Sequence, residues 1–186
     1  MISWMQASAR ALVTAAVISG LGTLLLPVPA SIAHSASAPA RSSKSALPPL
    51  CARRKPSIRA NAWPPARRQL APPGATAMRL CRYGPLRSVA LQRARLLTSQ
   101  TLIHHLVRDL NALPPLPQPP LKCPADFGSR VDALLAYPAG ARVIVGVGLS
   151  GCHLATNGNL VRLADGFGSP SRYGPDLVAE LRHLTS

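Results

Sequence analysis

From residue 76 onward the chain settles into regular alternations of apolar and polar positions. Over 76–83, Met78, Leu80 and Arg82 fall on one side and Cys81 and Tyr83 on the other, and Gly84-Pro85 marks a turn. Over 88–97, Val89, Leu91, Arg93, Arg95 and Leu97 alternate with Ala90, Gln92, Ala94 and Leu96. Two period-two runs about a turn predict a β-hairpin. The pattern then changes period. Leu102, Ile103, Leu106, Val107, Leu110 and Leu113 recur at helical spacing behind a capping Thr98 or Ser99, and Pro114 ends the run. Residues 114–124 hold six prolines in eleven, which predicts a stiff crossover ending at Cys123-Pro124.

A second hairpin is predicted from 131–137 and 142–149 about Pro138-Ala139-Gly140. Its second strand has Val143, Val145, Val147 and Leu149 against Ile144, Gly146 and Gly148, with almost no polar interruption. Such a run suits a central strand, and its glycines allow something to pack closely on their face. Two short strands, 153–156 and 160–163, flank the turn signal Asn157-Gly158. A final helix is expected over 175–184, with Pro175 at its first position, Asp176 at its positive end, Arg182 and His183 at its negative end, and Leu177, Val178, Leu181 and Leu184 as the buried stripe. The order β-β-α-β-β-(β-β)-α predicts an α+β domain over residues 75–186. Its antiparallel sheet has about four to six strands, with two helices packed on one face.

The first 74 residues follow other rules. Arg10 precedes an apolar run over 11–26, ended by Pro27 and Pro29, and small residues follow to Ala40. These are the three parts of a secretory signal, and the run is short for a membrane span of roughly 20 residues. Cleavage is expected after Ala38 in Ala36-Ser37-Ala38, with Ser31-Ile32-Ala33 as the other candidate, so 1–38 is read as a leader. The mature protein is then expected outside the cell, without a stable membrane span, and with no cysteine placed for a lipid anchor. Residues 39–74 carry eight prolines among interspersed arginines and lysines and hold no lasting periodicity, which predicts a Pro/Arg-rich linker. Cys51 and Trp63 are the two places where that linker is expected to touch the domain.

Charge sharpens this division. The formal net charge is +15, yet residues 1–108 hold 15 basic residues and no acidic one, whereas 109–186 hold six of each. The excess therefore belongs to the leader, the linker, the first hairpin and the first helix. It could attract a cell-envelope polyanion. Arginine outnumbers lysine 18 to 3 beside abundant alanine, as a GC-rich genome would give without selection, and Trp63 is the lone aromatic of the Pro/Arg-rich segment 39–74. Specific nucleic-acid binding, which usually adds stacking aromatics, is not expected.

Export would make the four cysteines an oxidised set with three possible connectivities. We expect Cys123–Cys152, closed around the second hairpin, and Cys51–Cys81, tying the linker to the domain; loops of this length are worth ~3–4 kcal/mol in the chain-entropy account. No CxxC spacing points to zinc. Gly146-Val147-Gly148-Leu149-Ser150-Gly151 matches GxGxxG but runs into Cys152 and an Asn-Gly turn instead of a helix, so no dinucleotide is expected. Ser150 lacks the nucleophile elbow, because cysteine stands at the last glycine. His104, His105, His153 and His183 are available as bases, but their spacing with the acids favours no triad. His104 and His105 point about 100° apart on a helix and are read as surface residues beside the core stripe. Asp126, Asp132 and Asp165 lack a metal-loop pattern. No catalytic, cofactor or metal residue is assigned.

Leu80-Cys81-Arg82-Tyr83, Asp109-Leu110-Asn111-Ala112-Leu113-Pro114, Cys123-Pro124, Tyr137-Pro138-Ala139-Gly140, Ser150-Gly151-Cys152 and Thr156-Asn157-Gly158 together resemble an uncharacterised family of secreted proteins from high-GC Gram-positive bacteria. A fainter resemblance is to the subtilisin-inhibitor-like family, carried by residues 109–113, Cys123-Pro124 and Cys152. That resemblance implies a protease-contact loop starting at Cys123 and Pro124, with Ala125 and Asp126 flanking the scissile bond. Cys51 and Cys81 lie further upstream than that family's other disulfide, and an acid after the scissile bond is a poor invitation to subtilisins. The expectation is a secreted, non-enzymatic extracellular or cell-envelope binding domain. The alternative is an inhibitor of a secreted serine protease.

Overall fold

The computed structural model describes residues 47–118, 122–164 and 177–186. The expected leader over 1–38 lies outside them, as do Pro175 and Asp176. Among the described residues no helix is long and apolar enough to cross a membrane.

Six antiparallel strands form one sheet: β1 (Ala77–Tyr83), β2 (Leu91–Leu97), β3 (Arg130–Ala136), β4 (Arg142–Gly148), β5 (Leu154–Thr156) and β6 (Val161–Leu163). Their spatial order is β2-β1-β3-β4-β5-β6. The chain therefore crosses once, through α1 (Gln100–Ala112), to bring β3 against β1; every other neighbour is a hairpin partner. Leu80 pairs with Ala133 and Leu135 with Val143, so the apolar members of adjacent strands share a face. Ser99 caps α1, its hydroxyl accepting from Leu102 N at 3.5 Å. The last helix, α2, is described over Leu177–Leu184.

Both helices pack on one face of the sheet. Ile103, Leu106, Val107 and Leu110 of α1 and Leu177, Val178 and Leu181 of α2 join Met78, Leu80, Val131, Ala133, Leu135, Val143, Val145 and Val147 in one buried cluster. Each large side chain buried there contributes about 1.5–3 kcal/mol. Arg95 and Arg82 donate to the carbonyls of Leu184 (3.2 Å) and Thr185 (3.4 Å), placing cations at the electronegative end of α2.

The segment expected as a linker packs against the sheet over its described residues. Residues 47–74 do not hang from a domain that begins at residue 75; they are a strap wrapped around it. Cys51, Leu91 and Ile144 pack on a small cluster of Cys81, Tyr83 and Leu134 on the sheet face away from the helices. Arg53 O accepts from Leu91 N at 2.9 Å, Lys55 N donates to Val89 O at 2.8 Å, and Arg54 forms a lone antiparallel bridge with Ala90. Ile58 lies against Gly146, where any side chain would collide with it. The strap then rounds the β5–β6 turn. Asn157 Nδ2 donates to the carbonyls of Ala66 (2.8 Å), Gln69 (2.9 Å) and Leu70 (3.1 Å). Beyond a 3-10 turn at Pro64–Arg67, Ala66, Leu70 and Ala71 join the main core. Trp63 packs on Tyr137 with ring centroids 4.7 Å apart. The Tyr137 hydroxyl donates to Pro72 O at 2.8 Å, and burial raises its pKa well above the usual phenol value.

Proline removes donors, so this segment cannot build a regular ladder. Beyond its short backbone contact with residues 89–91, it is held chiefly by side chains of the domain that reach its carbonyls. The later Pro-rich stretch serves the other edge of the sheet: Pro114 O accepts from Leu163 N at 3.1 Å and Pro115 bridges Arg162, covering β6.

Both disulfides are Cys51–Cys81 and Cys123–Cys152, the expected pairs. They staple opposite things. The first fastens the strap to the middle of β1, and the second joins the approach to β3 to the exit from β4.

Candidate functional site

Residues 122–127 have neither helix nor strand, and every one of them is exposed. Pro124 lacks an amide donor and fixes φ, which suits an extended stretch with no sheet partner. What makes this run a candidate site is how firmly its ends are held. At one end Cys123 is bonded to Cys152, with Cα atoms 5.0 Å apart. At the other, the Asp126 carboxylate is tied down at the surface. Its Oδ1 accepts from the Ser150 hydroxyl at 2.6 Å and from Gly128 N at 2.7 Å, while Ser150 Oγ accepts from Phe127 N at 3.1 Å. Lys55 of the strap donates to Gly128 O at 2.5 Å, and Leu86 N donates to Phe127 O at 2.7 Å.

The electrostatics agree with that geometry. The Ser150 hydrogen bond is the largest influence holding the Asp126 carboxyl below its ordinary 3.8, and Gly128 N, Lys55 and His153 act in the same sense against burial. Gly151 makes the close approach possible. It adopts φ +69°, and a side chain there would run into Asp126. His153, at φ +47°, sits in the same left-handed region just after the disulfide and bends the chain into β5.

Around the tethered Asp126, the loop displays Lys122, Pro124, Ala125 and Phe127. Phe127 is 65% exposed, and Leu86, on the adjoining β1–β2 connection, is 67% exposed. A large aromatic and a large aliphatic side chain thus stand beside a loop fixed by a covalent bond and five hydrogen bonds. A loop already held in its binding shape loses little further freedom on association.

The structure brings Cys123, Pro124, Ala125 and Asp126 together with Ser150 and Cys152, residues that the sequence treats as separate motifs. Cys51 and Cys81 lie apart from them, under the strap. Gly146 and Gly148 lie within β4, and Gly151 turns the chain away from it. His104 and His183 are exposed on α1 and α2.

Sequence reasoning missed three contributors: Lys55, Leu86 and Phe127. Lys55 and Leu86 are distant in the chain from the loop, and nothing in their local pattern marks them. Phe127 follows the Cys-Pro motif closely, and a large apolar residue in a proline-rich, patternless stretch was the available signal.

A second cluster was also missed. His105, read as a surface residue, lies with Asp109 and Glu180 at the seam of α1 and α2. His105 and Asp109 stand four residues apart on one helix face, a spacing visible in the sequence; Glu180 arrives only through the packing of α2.

Beneath the strap, Asp132 is wholly buried beside Arg130, with Nη2 to Oδ2 at 2.9 Å and Nε to Oδ1 at 2.5 Å. Arg130 also donates to Pro56 O at 2.5 Å, so this ion pair fastens the strap. Burial raises the Asp132 pKa against the opposing pull of Arg130 and Lys55. Tyr83, whose hydroxyl donates to Ala52 O at 3.1 Å, is raised first by burial and then by the nearby Asp132 charge.

No family model, curated protein or solved structure matches the chain.

Proposed function

We propose that the chain is a secreted, non-enzymatic binding protein that engages a protein partner through residues 122–127 and the adjoining Leu86. The observation that carries this reading is the braced loop: an exposed, extended run clamped by Cys123–Cys152 at one end and by Asp126–Ser150 at the other. Export is supported by the N-terminal basic residue, apolar run and small-residue exit, and by four cysteines all paired in disulfides. A photo-reactive residue placed at position 125 should cross-link the producing organism's extracellular partner, whereas one at position 67 on the strap should not. Cross-linking from position 67 alone, lost at high salt, would replace this reading with polyanion binding through the strap arginines.

A second reading is inhibition of a secreted serine protease, as the subtilisin-inhibitor-like resemblance implies. One observation favours it. Asp126, the residue that would follow the scissile bond, has its carboxylate tied to Ser150 and Gly128, which holds the exposed chain rigid at that bond. Titrating subtilisin with the purified chain decides it. An inhibitor gives a one-to-one endpoint that moves when Ala125 is changed; full protease activity at millimolar protein removes the reading.

A further inference from the structure

We propose that His105, Asp109 and Glu180 form a mononuclear site for a zinc-like divalent cation at the seam between α1 and α2.

The first argument is distance. His105 Nε2 lies 3.3 Å from Asp109 Oδ2 and 3.5 Å from Glu180 Oε2. One ligand atom from each of the three residues lies within 4.8 Å of the other two. With metal–nitrogen and metal–oxygen bonds of about 2.0–2.2 Å, the edge of a tetrahedron is about 3.3–3.5 Å. Two sides of the triangle therefore already have the length that a tetrahedral cation imposes. The fourth vertex would be open to water, because the His105 side chain is 35% exposed.

Burial gives the second argument. Asp109 is 8% exposed, so it is more than nine-tenths buried. Its Oδ2 and the Oε2 of Glu180 are sealed from solvent, and both converge on the one ring nitrogen of His105. A single ring N–H cannot fully satisfy two buried carboxylate oxygens, and a buried oxygen left short of a donor costs about 1–3 kcal/mol, so a cation at their point of convergence would compensate both. A nitrogen ligand with two carboxylates suits zinc and its neighbours better than calcium or magnesium, which prefer all-oxygen shells.

Arg108 sets the condition for loading. Its Nη2 lies 2.6 Å from His105 Nδ1 and its Nε 3.2 Å from Asp109 Oδ1. A guanidinium only donates, so Nδ1 is the acceptor and the ring proton sits on Nε2, shared between the two carboxylates. A cation takes the place of that proton. The proton moves to Nδ1 through solvent, the ring stays neutral, and Arg108 must swing off. Its side chain is 70% exposed and free to do so. Arg108 thus competes with the metal for the state of the histidine.

The test is calorimetric titration of the full, disulfide-intact chain with Zn2+ after chelator treatment, together with the visible spectrum of the Co2+ form. The expected results are one equivalent of Zn2+ and an intense tetrahedral Co2+ spectrum. Binding should be lost in His105→Ala and weakened roughly tenfold or more in Glu180→Gln. Arg108→Gln should bind more tightly than the parent chain, a gain that misfolding cannot produce. Glu180 is partly exposed and its replacement is isosteric, so that variant carries the test if His105→Ala fails to fold. The proposal is overturned by the absence of saturable binding in the parent chain, by unchanged affinity in Glu180→Gln, or by weaker binding in Arg108→Gln.

Discussion

The two faces of the sheet are built by different physics from neighbouring residues. Leu135 points at the helices and Leu134 at the strap, one residue apart on β3. The helix face is a broad apolar cluster drawn from two helices and five strands. The strap face has a buried apolar cluster of only three residues, a disulfide, a buried Asp132–Arg130 pair and an irregular segment fastened largely by its carbonyls. A periodic face needs only apolar side chains at the right spacing. A face covered by Pro/Arg-rich chain must be held by individually placed donors, because its cover has too few donors and no repeat of its own.

The largest effect that separates them comes from truncating those two leucines. Leu135→Ala should cost ~4–5 kcal/mol, because the packed helices cannot collapse into the gap. Leu134→Ala should cost nearer ~2–3 kcal/mol, because the strap can settle onto it. Urea denaturation of both variants checks this; equal losses would mean that the strap is as rigid a cover as the helices.

Next is the staple. Changing Cys51 and Cys81 together to serine should cost ~3–4 kcal/mol by releasing a loop of 30 residues in the unfolded chain. Hydrogen exchange sharpens the comparison. Lys55 N and Leu91 N, which bond across the strap, should lose protection first, while the amides of α1 keep theirs. Simultaneous loss in both places would show one cooperative unit with no hierarchy between the faces.

These expectations also explain what the sequence could tell. The helices and strands of the helix face were legible because each carries its own period, although Ala66, Leu70 and Ala71 of the strap, which also enter that core, were not. The stripe Ile103, Leu106, Val107 and Leu110 names α1, and the valines of β4 name a central strand. Both disulfides were legible from four cysteines and a predicted hairpin. The strap was not, since a segment held by Asn157, Arg130 and Tyr137 has no signature within itself. Its traces lay in the domain instead. Gly146 marked a close approach without saying by what, and Ile58 is the answer. The loop after Cys123-Pro124 could be named, but its clamp could not, because Ser150 meets Asp126 only once β3 and β4 are paired.

Gly146 offers a smaller and more local test. Gly146→Ala drives a methyl into Ile58 and should cost ~1–3 kcal/mol by overpacking. Adding Ile58→Ala should recover most of that loss, since the two sites are in direct contact and their effects should not add. A double variant as unstable as the sum of the singles would mean that the strap does not seat there.

The smallest effect distinguishes the strap face from the loop by pH. Burial gives Asp132 a folded pKa above its ordinary 3.8, so folding favours its protonated form. Its contribution to stability is complete below that value and is lost as pH rises through the raised pKa. Asp126 runs the other way. Its folded pKa is lowered, chiefly by Ser150, so its contribution is present above 3.8 and is lost as pH falls through the lowered value. Carboxyl carbon shifts followed by NMR should therefore show Asp132 titrating above 3.8 and Asp126 below it. Ser150→Ala should move the Asp126 midpoint upward and leave Asp132 where it was, because the serine's hydrogen bond reaches only the loop carboxylate. If Asp126 kept its depressed midpoint in that variant, Lys55 and His153 would be holding the carboxylate. The clamp on the binding loop would then be one of charge, which salt would loosen, and not of a hydrogen bond that salt leaves intact.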